Sequence, residues 1–418
     1  MKENKTLEYK SEVTNSFLKT VSAYANFVTG VIKFGVSDNG EICGIASPEA
    51  ACLDIENKIN DSISPKPDYS LSINRRNNVI TLTVSEGRHK PYFYKGKAYR
   101  RSDTATVEVD NIELKRLILE GCNMNYEELA CKESKLNFEY FENKLIEKLG
   151  ISALSEDMLR TFGFYDAKRK FNVAAALFAD KNEFYGVDIA RFGNSINEIL
   201  DRETFEGMSI LRQYDGAVTI YRRYYQLEII EGIERKKVEL IPEEAFREAI
   251  ANALVHRTWD INSHIRISMH PDYIEIASPG GLPRGITKEE YLRGNISNLR
   301  NPIIGNMFFR MHYIEMFGTG IRRILDSYDG SSLKPEFDAT ENSIIVKLPV
   351  KSLTRLVTTN GQKVLDLISA GRILSSSEIA DKLGWSKDKV IRVINSLKAQ
   401  GYILAIGNGR GTKYVTKK

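Results

Sequence analysis

The chain has 418 residues, 42% of them apolar and 27% charged, with 4 cysteines and a formal net charge of +4. That balance belongs to a globular protein of roughly two to four domains and excludes a largely disordered chain. The longest apolar run, 173–179, is far too short to cross a bilayer, and Met1-Lys2-Glu3-Asn4-Lys5 lacks the apolar stretch of a signal peptide, so a cytoplasmic protein without membrane contact is expected.

The pattern predicts an α+β multidomain chain in three blocks, 1–115, 116–350 and 351–418. In the first, 18–27 leads to a strand-like run at 31–36. Asp38-Asn39-Gly40 signals a turn, and 42–45 is expected to return as a hairpin. Two further strands are expected, 79–84 from its apolar–polar alternation and 92–100 from its aromatic and basic content. Cys43, Cys52, Cys122 and Cys131 show no C-x-x-C spacing, which points to reduced thiols rather than zinc.

The second block opens with a helical stretch. Strands are expected at 171–178 and 217–231, then a helix at 243–257, then strands at 264–269 and 273–277 joined by His270-Pro271-Asp272. Pro279-Gly280-Gly281-Leu282-Pro283 is a loop, and 343–348 is a closing strand. Glu248 and Asn252, four apart on the helix, project from one face. A carboxylate there can orient a water, and an amide oxygen suits Mg²⁺, a hard cation. Gly318-Thr319-Gly320 precedes an apolar-periodic segment, a place where backbone N–H groups can cradle phosphate. The two features together suggest a nucleotide site without a P-loop. Arg300 and Asn301 either meet phosphate or lock the loop before Pro302.

From residue 351 onward thirteen Lys and Arg face four Asp and Glu, a net +9, which leaves −5 on the remainder of a +4 chain. This asymmetry marks the C-terminal block as the polyanion contact. Ser375-x-x-Glu378 is a capping box opening a short helix, Gly384 breaks it, and Ser386 caps a second helix over 387–400. A basic hairpin follows, 402–406 and 412–415, which makes the block a winged helix. Val390, Ile394 and Leu397 recur at i, i+4 and i+7 and should face the core. Lys387, Lys389, Arg392 and Asn395 fall largely elsewhere and can reach a groove, as can Arg410 on the wing.

Glu3, Leu7-Glu8-Tyr9-Lys10, Ser22-Ala23-Tyr24-Ala25-Asn26, Gly30 and Phe34-Gly35-Val36-Ser37-Asp38-Asn39-Gly40, with Tyr99-Arg100-Arg101-Ser102 later, resemble the Schlafen-type AlbA-like domain over about the first 115 residues. Thr29-Gly30 stands where that family often has two glycines. The resemblance implies binding of DNA or RNA, with Lys10 and Arg100 among the contacts. Some members cleave RNA with three acidic residues, and those positions fall here on Glu3, Glu8 and Asp38, with Glu8 and Asp38 as ligands for Mg²⁺ or Mn²⁺. The bland reading of the same residues is a surface pair of Glu8 with Lys10, a turn-forming Asp38 and a frayed Glu3.

Residues 242–257, Ser278-Pro279-Gly280-Gly281-Leu282-Pro283, Asn298-Leu299-Arg300-Asn301-Pro302 and Ile314-Glu315-Met316-Phe317-Gly318-Thr319-Gly320-Ile321 resemble the RecG-C-terminal-like branch of the GHKL ATPase fold, an α/β sandwich, over roughly 217–350. The resemblance implies that Glu248 is the general base and Asn252 the Mg²⁺ ligand for ATP, with Gly280, Gly281, Gly318, Thr319 and Gly320 around the nucleotide. Ser278-Pro279-Gly280-Gly281 stands where that fold carries the D-x-G-x-G loop, whose Asp reads the adenine amino group. No G-x-x-x-x-G-K-[ST] is present, so a helicase motor is rejected.

The expected function is a nucleotide-responsive nucleic-acid-binding regulator, a DNA-binding transcriptional regulator acting as a homo-oligomer. The alternative is a metal-dependent Schlafen-like RNA endonuclease acting on tRNA in stress or phage defence. A scaffold for protein partners is a third option.

Overall fold

A computed structural model describes residues 2–231, 234–283, 285–293, 298–315, 318–351, 359–368, 372–399, 402–407 and 409–416. The chain divides into two compact units, Met1–Glu128 and Leu129–Lys418.

In the first unit the strands Leu7–Lys10 and Gly30–Phe34 run parallel, joined across the helix Phe17–Phe27. Val79–Val84 and then Tyr69–Asn74 continue the sheet antiparallel. Phe17, Tyr24, Phe34, Ile59, Ile80 and Leu82 fill the core between this sheet and its helices. The Ser22–Asn26 signature is structural. Ser22 Oγ and Asn26 Nδ2 donate to the Tyr92 carbonyl at 2.7 and 2.9 Å, and Tyr92 N donates back to Asn26 Oδ1 at 2.7 Å.

Two expectations change here. Residues 42–45 form no strand. Val36 and Ile42 make a single bridge, and the amides of Cys43 and Gly44 both donate to the Gly35 carbonyl, so the chain reverses too tightly for a ladder. The run 92–100 is broken into Phe93–Tyr94 and Tyr99–Ser102, because Lys95 and Gly96 both take positive φ, at 50° and 74°.

The second unit is built on a six-stranded sheet in the order Ile199–Phe205, Val187–Phe192, Ile265–Met269, Tyr273–Pro279, Ser343–Pro349, Glu336–Ala339. Only Val187–Phe192 and Ile265–Met269 pair parallel. The helices Ile210–Tyr225 and Glu243–His256 pack on each other and on this sheet. The strand at 343–349 lies inside the sheet, and Glu336–Ala339 forms its edge.

Residues 173–178 are a helix, Val173–Phe178, and not a strand. A short continuous apolar run does not separate buried helix from buried strand by periodicity. Here three alanines and the Asn172 side chain, which accepts from Ala175 N at 3.0 Å, decide for helix. Residues 217–225 likewise belong to the helix Ile210–Tyr225, and only Gln226–Glu231 is extended. The β-branched and aromatic content of 217–221 suggests strand, but the buried positions Tyr214, Ala217, Val218, Tyr221 and Tyr225 follow the helical period. The strands Val187–Phe192 and Ile199–Phe205 escaped the sequence reading, so the sheet begins well before residue 217.

The C-terminal block holds the helices Thr359–Ile368, Ser376–Leu383 and Lys387–Ala399 and a sheet ordered Leu374–Ser375, Lys413–Thr416, Ile403–Ile406. The capping box forms as expected. Glu378 N donates to Ser375 Oγ, and Ser375 N donates to Glu378 Oε2 at 2.7 Å. Gly384 closes that helix at φ 64°. Val390, Ile394 and Leu397 are buried against Val364, Ile368 and Ile379.

Candidate functional site

The helix Glu243–His256 leaves its last four carbonyls without intrahelical partners. Several side chains satisfy that end. Ser278 Oγ donates to the Ala253 carbonyl at 3.0 Å, Asn301 Nδ2 to Val255 at 2.7 Å and Arg257 at 2.8 Å, and Arg300 Nη1 to His256 at 3.1 Å. Arg300 Nη2 also donates to the Gly281 carbonyl at 2.7 Å. Of the two readings of Arg300 and Asn301, the structure supports the lock before Pro302. Gly280 is required there, since its φ is 101° and a Cβ would collide with Thr258 and the Arg300 guanidinium. Gly281 is pressed against the Thr340 and Glu341 carbonyls.

With its C-terminus held, the helix presents Glu248, Asn252 and His256 to a cavity of about 110 Å³. Ile276 and Ser278 line it from the strand Tyr273–Pro279, and Ile344 and Val346 from the neighbouring strand. Gly318 and Gly320 close it from a segment some seventy positions further on in the sequence than Glu248. Gly320 touches the pair directly: a Cβ there would run into the Glu248 carboxylate and stand 2.8 Å from Asn252 Nδ2. Thr319 occupies the cap position of the helix Gly320–Asp326. Met316 and Phe317 of the same motif lie outside the described residues.

Glu248 is 6% exposed, and burial raises its pKa against the opposing effect of the Asn252 amide. Asn252 Nδ2 donates to Glu248 Oε1 at 3.1 Å, which turns the amide oxygen away from the carboxylate. The cavity therefore holds a basic carboxylate beside a neutral oxygen donor. Glu315, which also lines it, pairs with Arg323 at 3.3 Å. Burial, aided by the Arg300 charge, pushes the His256 imidazole down to about 4. The folded protein thus refuses a proton that the unfolded chain accepts near pH 6.5. His256 contributes stability that is complete above pH 6.5 and is lost as pH falls from there through 4, at up to about 1.4 kcal/mol per pH unit. His256→Gln is expected to flatten the fall in denaturation midpoint between pH 7 and pH 4.5, measured by chemical unfolding.

In the first unit Glu8 is buried and fully engaged. Its Oε2 accepts from Thr20 Oγ1 and Arg101 Nη1, both at 2.6 Å, and its Oε1 pairs with Lys10 Nζ at 2.7 Å. Glu3 Oε1 accepts from Tyr9 N at 2.7 Å, and Asp38 is exposed on its turn. Among the described residues no group of three or more His, Cys, Asp and Glu side chains is spaced to hold a metal ion. Arg100 pairs with Glu113 at 3.2 Å, while its neighbour Arg101 turns inward to Glu8. Nothing local in the sequence marks Arg101 as the inward member of that pair.

On the helix Lys387–Ala399, Lys387, Arg392 and Asn395 are exposed. Lys389 is half-buried, with Nζ 4.1 Å above the Trp385 ring. The side chain of Arg410 lies outside the described residues.

Residues 3–110 match the family model Schlafen, AlbA_2, and residues 262–348 match the model HATPase_c_4, described as ATP-dependent DNA helicase recG C-terminal. The chain thus carries a Schlafen AlbA-like domain followed by a RecG C-terminal-like domain. The second match starts after Glu248 and Asn252, which join it through the packing of their helix. No curated protein matches this chain. Among solved structures it is similar to the DIP2311 protein from Corynebacterium diphtheriae, at 18% identity and a TM-score of 0.49, over 99% of this chain and 92% of that one.

Proposed function

We propose that this chain is a nucleotide-responsive nucleic-acid-binding regulator, a DNA-binding transcriptional regulator in which Mg-ATP occupies the cavity beside Glu248 and Asn252. The observation that carries the reading is the convergence of Glu248, Asn252 and Gly320 on one cavity from segments far apart in sequence. The donor set suits the ligand. The Asn252 amide oxygen would hold Mg²⁺, the Gly318–Gly320 backbone leaves room for phosphate, and Glu248 would orient a water. The bound metal would supply charge neutralisation at the phosphates.

The C-terminal block, read as a winged helix, would contact DNA through Lys387, Arg392 and Asn395. Coupling is supported by the helix Gly320–Asp326. Its first residue abuts Glu248 and Asn252. Just past its last residue, the Ser327 carbonyl accepts from Lys351 Nζ at 2.6 Å and Tyr328 donates to the Pro349 carbonyl at 2.8 Å. Lys351 immediately precedes 352–358, which leads into the basic block. A ligand favouring one position of this helix would bias that root, and differential affinity for two states is what coupling requires.

The test is duplex DNA affinity with and without Mg-ATP, beside thermal melting. Mg-ATP is expected to shift the DNA affinity about fivefold or more and to raise the melting temperature. Lys387→Ala with Arg392→Ala is expected to weaken DNA binding about tenfold or more and to lower the log–log salt slope by roughly two. The reading fails if Mg-ATP changes neither melting nor DNA affinity.

A further inference from the structure

The strands Gln226–Glu231 and Glu234–Glu239 form an antiparallel ribbon that joins no other strand among the described residues. Its root is tied down. Leu240 N donates to the Tyr225 carbonyl at 2.9 Å, and Gln226 Nε2 donates to Glu243 Oε2. Beyond the root, Leu227 is 38% and Ile230 66% exposed. Successive residues of a strand point to opposite faces, so these two put an apolar side chain on each face of the ribbon. A two-stranded ribbon is marginal on its own, and a further strand beside it would give both side chains cross-strand neighbours.

The two free edges of the ribbon differ. Glu234–Glu239 carries Arg235, Lys236 and Lys237 in succession, a device that keeps a sheet edge from pairing. Gln226–Glu231 has no Lys, Arg or Pro. Its register runs unbroken from Gln226 opposite Glu239 to Glu231 opposite Glu234, so no bulge blunts it either. Its Glu228 already has a cation, Arg235, at 3.6 Å across the ribbon. The open edge is therefore the one at 226–231.

The same strand also says what fits it. Set antiparallel against its own copy and centred on position 229, it places Leu227 opposite Glu231 of the second copy and Glu228 opposite Ile230 of the second copy. No glutamate then stands opposite a glutamate, and the two Ile230 positions become diagonal neighbours on one face. The basic strand cannot repeat this. A two-fold centred on 235, 236 or 237 sets a cation against itself, which is destabilising. Pairing of like edges about a two-fold also closes after two chains.

We propose that the strand Gln226–Glu231 is a homodimerisation edge, which pairs antiparallel with the same strand of a second copy so that the two ribbons become one continuous sheet.

The test is light scattering on the full chain over a concentration series, with amide hydrogen exchange read by mass spectrometry. The wild type is expected to reach twice the 47.4 kDa mass of one chain. Its amides at 226–231 should exchange more slowly in concentrated than in dilute solution, and the slowing should be larger there than at 234–239. Ile230→Lys gives the open edge the kind of residue that protects the other one. It should weaken dimerisation about tenfold or more and, since position 230 is exposed, melt like the wild type. Ile196→Lys, at an exposed isoleucine outside the ribbon, should leave the mass unchanged. A monomeric wild type overturns the proposal, as does a dimer that Ile230→Lys leaves intact. Exchange at 226–231 that is equal at both concentrations overturns it too. So does a mass that keeps rising with concentration, the sign of head-to-tail pairing between the two edges.

Discussion

Gly320→Ala is expected to abolish the response to Mg-ATP. The added methyl would collide with the Glu248 carboxylate and press on the Asn252 amide, the two groups on which the proposed site depends. Both contacted atoms are side-chain tips that line the cavity, so they yield by turning within it, which moves the carboxylate and the amide out of the positions the proposed ligand needs. Helix propensity works the other way, favouring Ala over Gly by up to about 1 kcal/mol in a helix. The variant should therefore fold, with a loss confined to ligand binding. A weakening of about a hundredfold, or 2.7 kcal/mol, is expected in calorimetric titration, together with loss of the ligand-induced rise in melting temperature. An alanine variant that binds Mg-ATP as the wild type does would show that the ligand sits elsewhere.

Glu8→Ala should destabilise the first unit severely. Glu8 and Arg101 are both buried, with side chains 5% and 2% exposed. Removing the carboxylate leaves the guanidinium in the interior, with Thr106 and the Asn4 carbonyl as its remaining partners and Nε without one. Breaking one side of a buried pair costs about 3–5 kcal/mol, and the melting transition of this unit should fall by roughly 10 °C or more. Scanning calorimetry or circular dichroism on the variant checks this. The outcome also bears on the endonuclease alternative. Loss of RNA cleavage in Glu8→Ala would reflect unfolding unless the variant melts like the wild type. Asp38→Asn, exposed and on a turn, is the cleaner probe of that chemistry: cleavage of tRNA with Mg²⁺ or Mn²⁺ that Asp38→Asn removes without loss of stability would favour the nuclease over the regulator.

Much of this molecule is written locally. The i, i+4 spacing put Glu248 and Asn252 on one helix face, and they share one. The Ser375–Glu378 box and Gly384 bracket a helix that forms with those ends. Val390, Ile394 and Leu397 face the core that their period requires. Local reading failed where a pattern had two solutions. The apolar run at 173–178 and the β-branched stretch at 217–221 suit a buried strand or a buried helix, and neighbouring layers decide between them. It failed again on Val187–Phe192 and Ile199–Phe205, whose edge and half-buried positions leave a weak alternation.

The site divides the same way. From the sequence alone come the helix that carries the carboxylate and amide, the glycines at 318 and 320, and the basic charge of the last block, because helix period, turn chemistry and net charge depend on residues close together in the chain. Only the tertiary structure decided that Gly320 rests on Glu248, that Ser278 gives its proton to Ala253, and that Arg101 is buried against Glu8. Those contacts span tens of residues, and they follow from which surfaces bury one another, a property of the whole packed chain that no short window of sequence contains.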